Sequence, residues 1–148
     1  MEFVAWLTQN WFEALSTLFG LAGLWFAGTS NLAAARAQRT ANLLTLTQSH
    51  RDLWTNHAKD PALSRVLDPR ADLVAQPITR KEMEFLNLAV QHLSSAFRAM
   101  RNDLTIAPEG LRRDVAEFFA LPVPKVVWEA LRTLQDRDFV EFVESELR

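Results

Sequence analysis

From Ala14 to Ala35 the chain runs for 22 positions without a charged side chain. Leu15, Leu18, Phe19, Leu21, Leu24, Trp25 and Phe26 fall inside this run, and Arg36 and Arg39 follow it. A helix of about 20 apolar residues spans the ~30 Å hydrocarbon core of a bilayer. Three structures satisfy such a run: a membrane span, a signal peptide, or a helix buried in a soluble core. A signal peptide carries a basic segment ahead of its apolar stretch. Here Met1–Phe12 holds only Glu2 and no Lys or Arg, although Ala35-Arg36-Ala37 superficially resembles a cleavage site. A buried helix needs a wrap of other apolar helices, which the remaining ~90 residues can barely supply. Length and absence of charge therefore predict a transmembrane helix over 11–35. Trp6 and Trp11 suit one interfacial belt and Trp25 lies nearer the other. Glu13 falls at the edge, within reach of headgroups or water. Residues 1–10, with Phe3, Val4, Trp6 and Leu7, are expected to lie along the membrane surface.

Flanking charge sets the orientation. Arg36, Arg39 and Arg51 follow the span, and no acid intervenes until Asp52. The positive-inside rule places the C-terminal domain in the cytoplasm and the N-terminus outside. For a bacterial protein this is the inner membrane. No Pro or Gly occurs from Thr29 to Asp60, and Leu32-Ala-Ala-Ala-Arg-Ala-Gln-Arg favours helix strongly. Leu43, Leu46, Leu53 and Trp54 carry an apolar side past the membrane. A helical stalk over 36–58 is expected. A continuous helix from Trp11 to His57 would measure ~70 Å at 1.5 Å per residue. The alternative is a break near Thr40–Asn42.

The span is patterned. Read in steps of four and three, one side carries Ser16, Gly20, Gly23, Ala27, Ser30, Ala34, Ala37 and Ala41, all small. A 3.5-residue spacing keeps a stripe facing one partner helix. Small residues let backbones approach, and close packing is what holds helices together in lipid. Leu18, Leu21, Trp25 and Leu32 make the opposite side bulky. The stripe is a candidate helix–helix contact, with a second copy or with another membrane subunit. Small residues are abundant here, so a chance alignment is the competing explanation.

Beyond the stalk, 13 Lys and Arg face 15 Asp and Glu from Lys59 onward, a mixed and solvated surface. The net charge of −2 supplies no bulk basic character, so a nucleic-acid duplex is not an expected partner. The chain has no cysteine, which excludes disulfides, thiol catalysis and Cys-ligated metals. Asp60-Pro61 starts a short helix ending near Leu67. Asp68-Pro69 to Gln76-Pro77 is a loop. Thr79 and Glu82 form a capping box. It opens a long helix with Met83, Leu86, Val90, Leu93, Phe97, Met100 and Leu104 on one face. Pro108-Glu109 starts the next, with Leu111, Val115, Phe118 and Phe119. Ala120-Leu-Pro-Val-Pro124 is expected to be a rigid connector. Val127, Trp128, Leu131 and Leu134 mark another helix, and Phe139, Phe142, Val143 and Leu147 the last. The fold class is all-α: a single N-terminal transmembrane helix continuing into a stalk, then a small cytoplasmic helical bundle over 59–148.

Trp54 before Asp60-Pro61, the Thr79/Glu82 start, and Pro124, Trp128 and Phe139-x-x-Phe142-Val143 together carry a resemblance. In these residues the chain resembles uncharacterised short bacterial membrane proteins with one N-terminal span and a cytosolic helical domain. The resemblance implies the same layout and brings no known active site. Similar layouts occur among membrane-anchored effectors of bacterial defence systems.

No catalytic signature is present. His50 and His57 are seven apart, ~10 Å along one helix, too far to share a metal. In an oligomer they could form rings of imidazoles; otherwise they are solvated or packed at an interface. His92 near Ser95 lacks the third group and the oxyanion site that nucleophilic catalysis needs. Glu82, Glu84, Glu141, Glu144 and Glu146 read as a solvated face. No Gly-rich phosphate loop or calcium loop occurs, and no cofactor is expected. Arg80-Lys81, Arg98 with Arg101, and Arg112-Arg113 would converge if the central helices are antiparallel. Such a patch would grip phosphate, a nucleotide messenger or anionic headgroups. The competing reading pairs them with Glu84, Asp103, Asp114 and Glu117. Two functions follow as expectations. One is a non-enzymatic assembly or accessory subunit of a membrane complex. The other is a ligand-gated membrane effector sensing a phosphate-bearing messenger.

Overall fold

The computed structural model describes residues 10–102 and 107–148. Helix α1 runs Trp11–Lys59, α2 Arg80–Arg101, α3 Pro108–Ala120, α4 Pro122–Leu131 and α5 Arg137–Glu146. Two 3-10 turns, Pro61–Leu67 and Arg132–Leu134, complete the order. No strand occurs among the described residues. Of the expected interfacial segment over residues 1–10, residues 1–9 lie outside the described residues, as do Asp103 and Leu104. The chain forms two compact units, Met1–Asn42 and Leu43–Arg148.

The first unit, as described, is residue Asn10 and α1 as far as Asn42. α1 carries no break near residue 40. Several of its hydroxyls are answered within the helix. Ser16 and Thr17 donate to the Glu13 carbonyl at 2.9 and 2.8 Å, and Thr29 donates to Phe26 at 3.0 Å. Back-bonding of this kind removes free donors from an otherwise apolar surface. The described side chains from Trp11 to Asn42 are all exposed.

The second unit holds the core, and residues 43–59 of α1 belong to it. Leu53 is buried, and Leu46 and Trp54 pack against the core. Trp54 meets Phe85 and Phe118 edge-on, with ring centroids 6.3 and 6.5 Å apart. α1 stops at Lys59 because Pro61 forces Asp60 out of the helical region, to φ −110°, ψ 102°. Asp60 then caps the 3-10 turn, accepting from Ala62 N–H at 3.1 Å. The capping box at Thr79 is complete. α2 buries Phe85, Leu86, Ala89, Val90, Ala96 and Phe97. That stripe includes two alanines, which let neighbours approach closely.

The expected rigid connector at 120–124 is not a connector. Pro122 is the first residue of α4, and Val123 and Pro124 are buried in the core. The first four N–H groups of a helix have no intrahelical acceptor, so prolines at its first and third positions lose no hydrogen bond. Lys125 N–H makes the first helical bond, to Leu121 O at 3.0 Å. At the centre, Trp128 contacts Phe119 and Phe139 at 5.0 and 5.8 Å, and Phe97 stacks near Phe142 at 4.8 Å.

Candidate functional site

Glu82 departs most from its expected place on a solvated face: it is 1% exposed. Its Oε1 accepts from Arg65 Nε at 2.9 Å. Its Oε2 accepts from Arg65 Nη2 at 2.8 Å, from Thr79 N–H at 2.7 Å and from the Thr79 hydroxyl at 2.9 Å. Arg65 also donates to the carbonyls of Gln76 and Pro77. The guanidinium of Arg65 holds the Glu82 carboxyl below the ordinary carboxylate range. This cluster clamps the 3-10 turn, the 68–77 loop and α2 together. Its geometry is that of a structural joint.

The six basic residues do not converge. Arg80 and Lys81 open α2 and Arg98 and Arg101 close it, about 27 Å away at 1.5 Å per residue. Arg80 pairs with Glu84 at 2.7 Å, Lys81 with Asp60, Arg98 with Asp136, Arg101 with Asp138, and Arg112 with Glu146 at 2.7 Å. Arg113 is exposed on α3. Of the expected partners among the described residues, Glu84 is used and Asp114 and Glu117 are not. Arg98 and Arg101 border a polar notch of about 370 Å³, and Asp136 and Asp138 stand in it as their counter-ions. Such exposed pairs are each worth ~1 kcal/mol or less.

The eight small residues of the stripe keep one side of α1. At 100° per residue they fall within an arc of about 100°. All eight are exposed. A Cβ placed on Gly20 or Gly23 would meet nothing within 4 Å.

A cleft that sequence reasoning missed lies inside the second unit. It holds about 740 Å³ between the 43–59 part of α1, the middle of α2, and α3. Leu53, Ala89, Ala96, Leu111 and Phe118 form a buried apolar floor, and Trp54, Leu67, Leu93 and Leu121 border it. On one wall His50 Nδ1 lies 3.0 Å from His92 Nε2, with ring centroids 5.0 Å apart. A hydrogen bond there needs one nitrogen protonated and the other bare. Burial, and secondarily the charge of His50, push the His92 imidazole below its ordinary value. On the other wall α3 presents Asp114 and Glu117. Their spacing, with Leu111 and Phe118, was the one sequence signal for this face. The histidine pair joins positions 42 apart and left no local trace. His57 turns from the cleft toward Phe85, at 5.4 Å between rings, and its Nε2 is buried without a hydrogen-bond partner among the described residues. No group of three or more metal-ligating side chains occurs among the described residues.

No curated protein and no solved structure matches this chain. Residues 7–147 match the model of a family of unknown function, DUF6082. The match covers nearly the whole all-helical chain, from within the N-terminal segment to the penultimate residue, and the protein therefore belongs to the DUF6082 family.

Proposed function

We propose that this protein is a single-span membrane protein acting as a non-enzymatic assembly or accessory subunit. Its apolar helix is the anchor and lateral contact, and its helical domain is the docking part. One observation carries the reading. α1 is long and apolar enough to cross a bilayer, and nothing in its apolar window is buried by the rest of the chain. Leu18, Phe19, Leu24, Trp25 and Phe26 are 65–73% exposed. Leaving a large apolar side chain in water forfeits ~1.5–3 kcal/mol. Five of them forfeit roughly 10 kcal/mol, as much as a typical domain's whole stability. Lipid, or partner helices in lipid, is the environment that removes that cost. The absence of bulk along the Gly20/Gly23 side supports packing of a second helix there, from another copy or another subunit. Arg36, Arg39 and Arg51 support a cytoplasmic domain at the inner membrane.

The phosphate-sensing effector draws no support from the arginines, since five of the six basic positions are already neutralised by carboxylates.

The chain's lack of cysteine makes the test direct. Gln9→Cys and Glu129→Cys single variants are expressed, and a membrane-impermeant maleimide is applied to intact and to permeabilised cells. The protein is expected to resist alkaline extraction. Gln9→Cys should label in intact cells, and Glu129→Cys only after permeabilisation. Extraction into alkaline carbonate would refute the anchor. Labelling of Glu129→Cys in intact cells would refute the orientation.

A further inference from the structure

The cleft between α1, α2 and α3 has the build of a ligand site rather than of a packing defect. Its volume of about 740 Å³ falls in the range of small-molecule pockets, about 300–1,000 Å³. Its floor is apolar and its polar groups are few and convergent. Their charge is one-sided. Among the described residues no Lys or Arg lines it, and the acidic or basic side chains there apart from the two histidines are Asp114 and Glu117.

Ten described carboxylates of the 43–148 unit hold an ion pair with a Lys or Arg. Five described carboxylates of that unit, Asp52, Asp72, Glu109, Asp114 and Glu117, hold no ion pair, and of these Asp114 and Glu117 line the cleft. They sit one helical turn apart on α3, on the side that carries Leu111 and Phe118 into the core. Two acids above an apolar floor repel a phosphate or carboxylate and attract a cation. A small hydrated cation would gain nothing from the floor. A neutral lipid chain would gain nothing from the acids. The half-buried Trp54 ring adds a surface on which a positive charge is favoured. The histidine wall is compatible, because a hydrogen-bonded imidazole pair needs at least one neutral ring.

We propose that this cleft binds an apolar organic cation, a protonated amine or an onium ion bearing hydrophobic groups. Asp114 and Glu117 supply the counter-charge, and the Leu53–Leu111–Phe118 floor with Trp54 supplies the apolar bed. The site is independent of the membrane-anchor reading, since every lining residue belongs to the 43–148 unit.

The test uses two probes of the same shape and opposite charge, tetraphenylphosphonium and tetraphenylborate. The full-length protein is titrated in nanodiscs, with empty nanodiscs subtracted. Tetraphenylphosphonium should bind saturably at one site, and tetraphenylborate should show no saturable binding. Asp114→Asn with Glu117→Gln should weaken the cation about tenfold or more while the melting temperature stays unchanged, because both side chains are exposed. Gly110→Trp places a ring in the cleft from a position where a Cβ meets nothing within 4 Å, and should abolish binding. Equal binding of the two probes overturns the proposal. So does cation uptake that matches empty nanodiscs, that is unchanged in the double variant, or that survives Gly110→Trp.

Discussion

Replacing Glu82 by Gln changes one atom and tests the buried joint at its centre. The carboxylate accepts four hydrogen bonds through two oxygens, two of them from Arg65. An amide has one acceptor oxygen. Its best placement keeps that oxygen where Oε2 meets Arg65 Nη2 and both Thr79 donors. The NH₂ group then faces Arg65 Nε, donor against donor. One bond is lost outright and the two Thr79 bonds lose their charge assistance, while the remaining Arg65 bond keeps a charged donor. A hydrogen bond to a charged group is worth ~1.5–3 kcal/mol against ~0.5–1.5 for a neutral one. With about 1 kcal/mol lost on each of the two Thr79 bonds, the sum for Glu82→Gln is a loss of about 3.5–5 kcal/mol, a fall of ~15 °C or more in the melting temperature of a domain this size. The assay is thermal and urea unfolding of the full-length protein in a mild non-ionic detergent, followed by tryptophan fluorescence, with Trp128 buried at 1% exposure as the main reporter. The acid limb gives a second reading. The folded Glu82 value lies below the unfolded one, so its contribution is complete above the unfolded range and is lost as pH falls through the folded value. Wild type should therefore lose stability below about pH 4.5 more steeply than Glu82→Gln. A further check is coupling: Arg65→Leu alone should destabilise more than Arg65→Leu with Glu82→Leu, since the single change strands a buried charge. A Glu82→Gln midpoint within ~0.5 kcal/mol of wild type at neutral pH, or parallel acid limbs, would refute the joint.

Other outcomes follow from the same structure. Trp128→Ala should cost ~3–5 kcal/mol in the same unfolding assay, because the indole is fully enclosed between α3, α4 and α5. Gly20→Leu with Gly23→Leu should leave that midpoint unchanged, because the new side chains meet nothing in the chain. The same pair should abolish crosslinking between spans in membranes, and undiminished crosslinking counts against the stripe. His92 faces His50 from α1 and Asp114 and Glu117 from α3 across the cleft. Its folded value is depressed, so the unfolded chain binds more protons and stability is lost as pH falls below the ordinary histidine range near 6.5. His92→Gln should flatten the stability profile between pH 5 and 7, and an unchanged profile excludes that contribution.

Much of this molecule was legible locally. Asp60 before Pro61, Thr79 with Glu82, and Pro108 each mark a helix start through the φ limit of proline or an unsatisfied N–H. The structure has helix starts at those positions. The uncharged run likewise determines one long apolar helix, because a span needs only composition and length. Long-range matters were not legible. Glu82 reads as a surface acid until Arg65, 17 residues upstream, is folded against it. The six basic positions read as one patch until acids as distant as Asp136 and Asp138 are brought beside Arg98 and Arg101. Pro122 and Pro124 read as a linker because proline's cost depends on whether its N–H has an acceptor, and at a helix start it has none. The cleft belongs wholly to the tertiary structure. A helix sequence tells which side is apolar, but only the packing of α1, α2 and α3 decides where those sides fail to meet, and which histidines and carboxylates face each other across the gap.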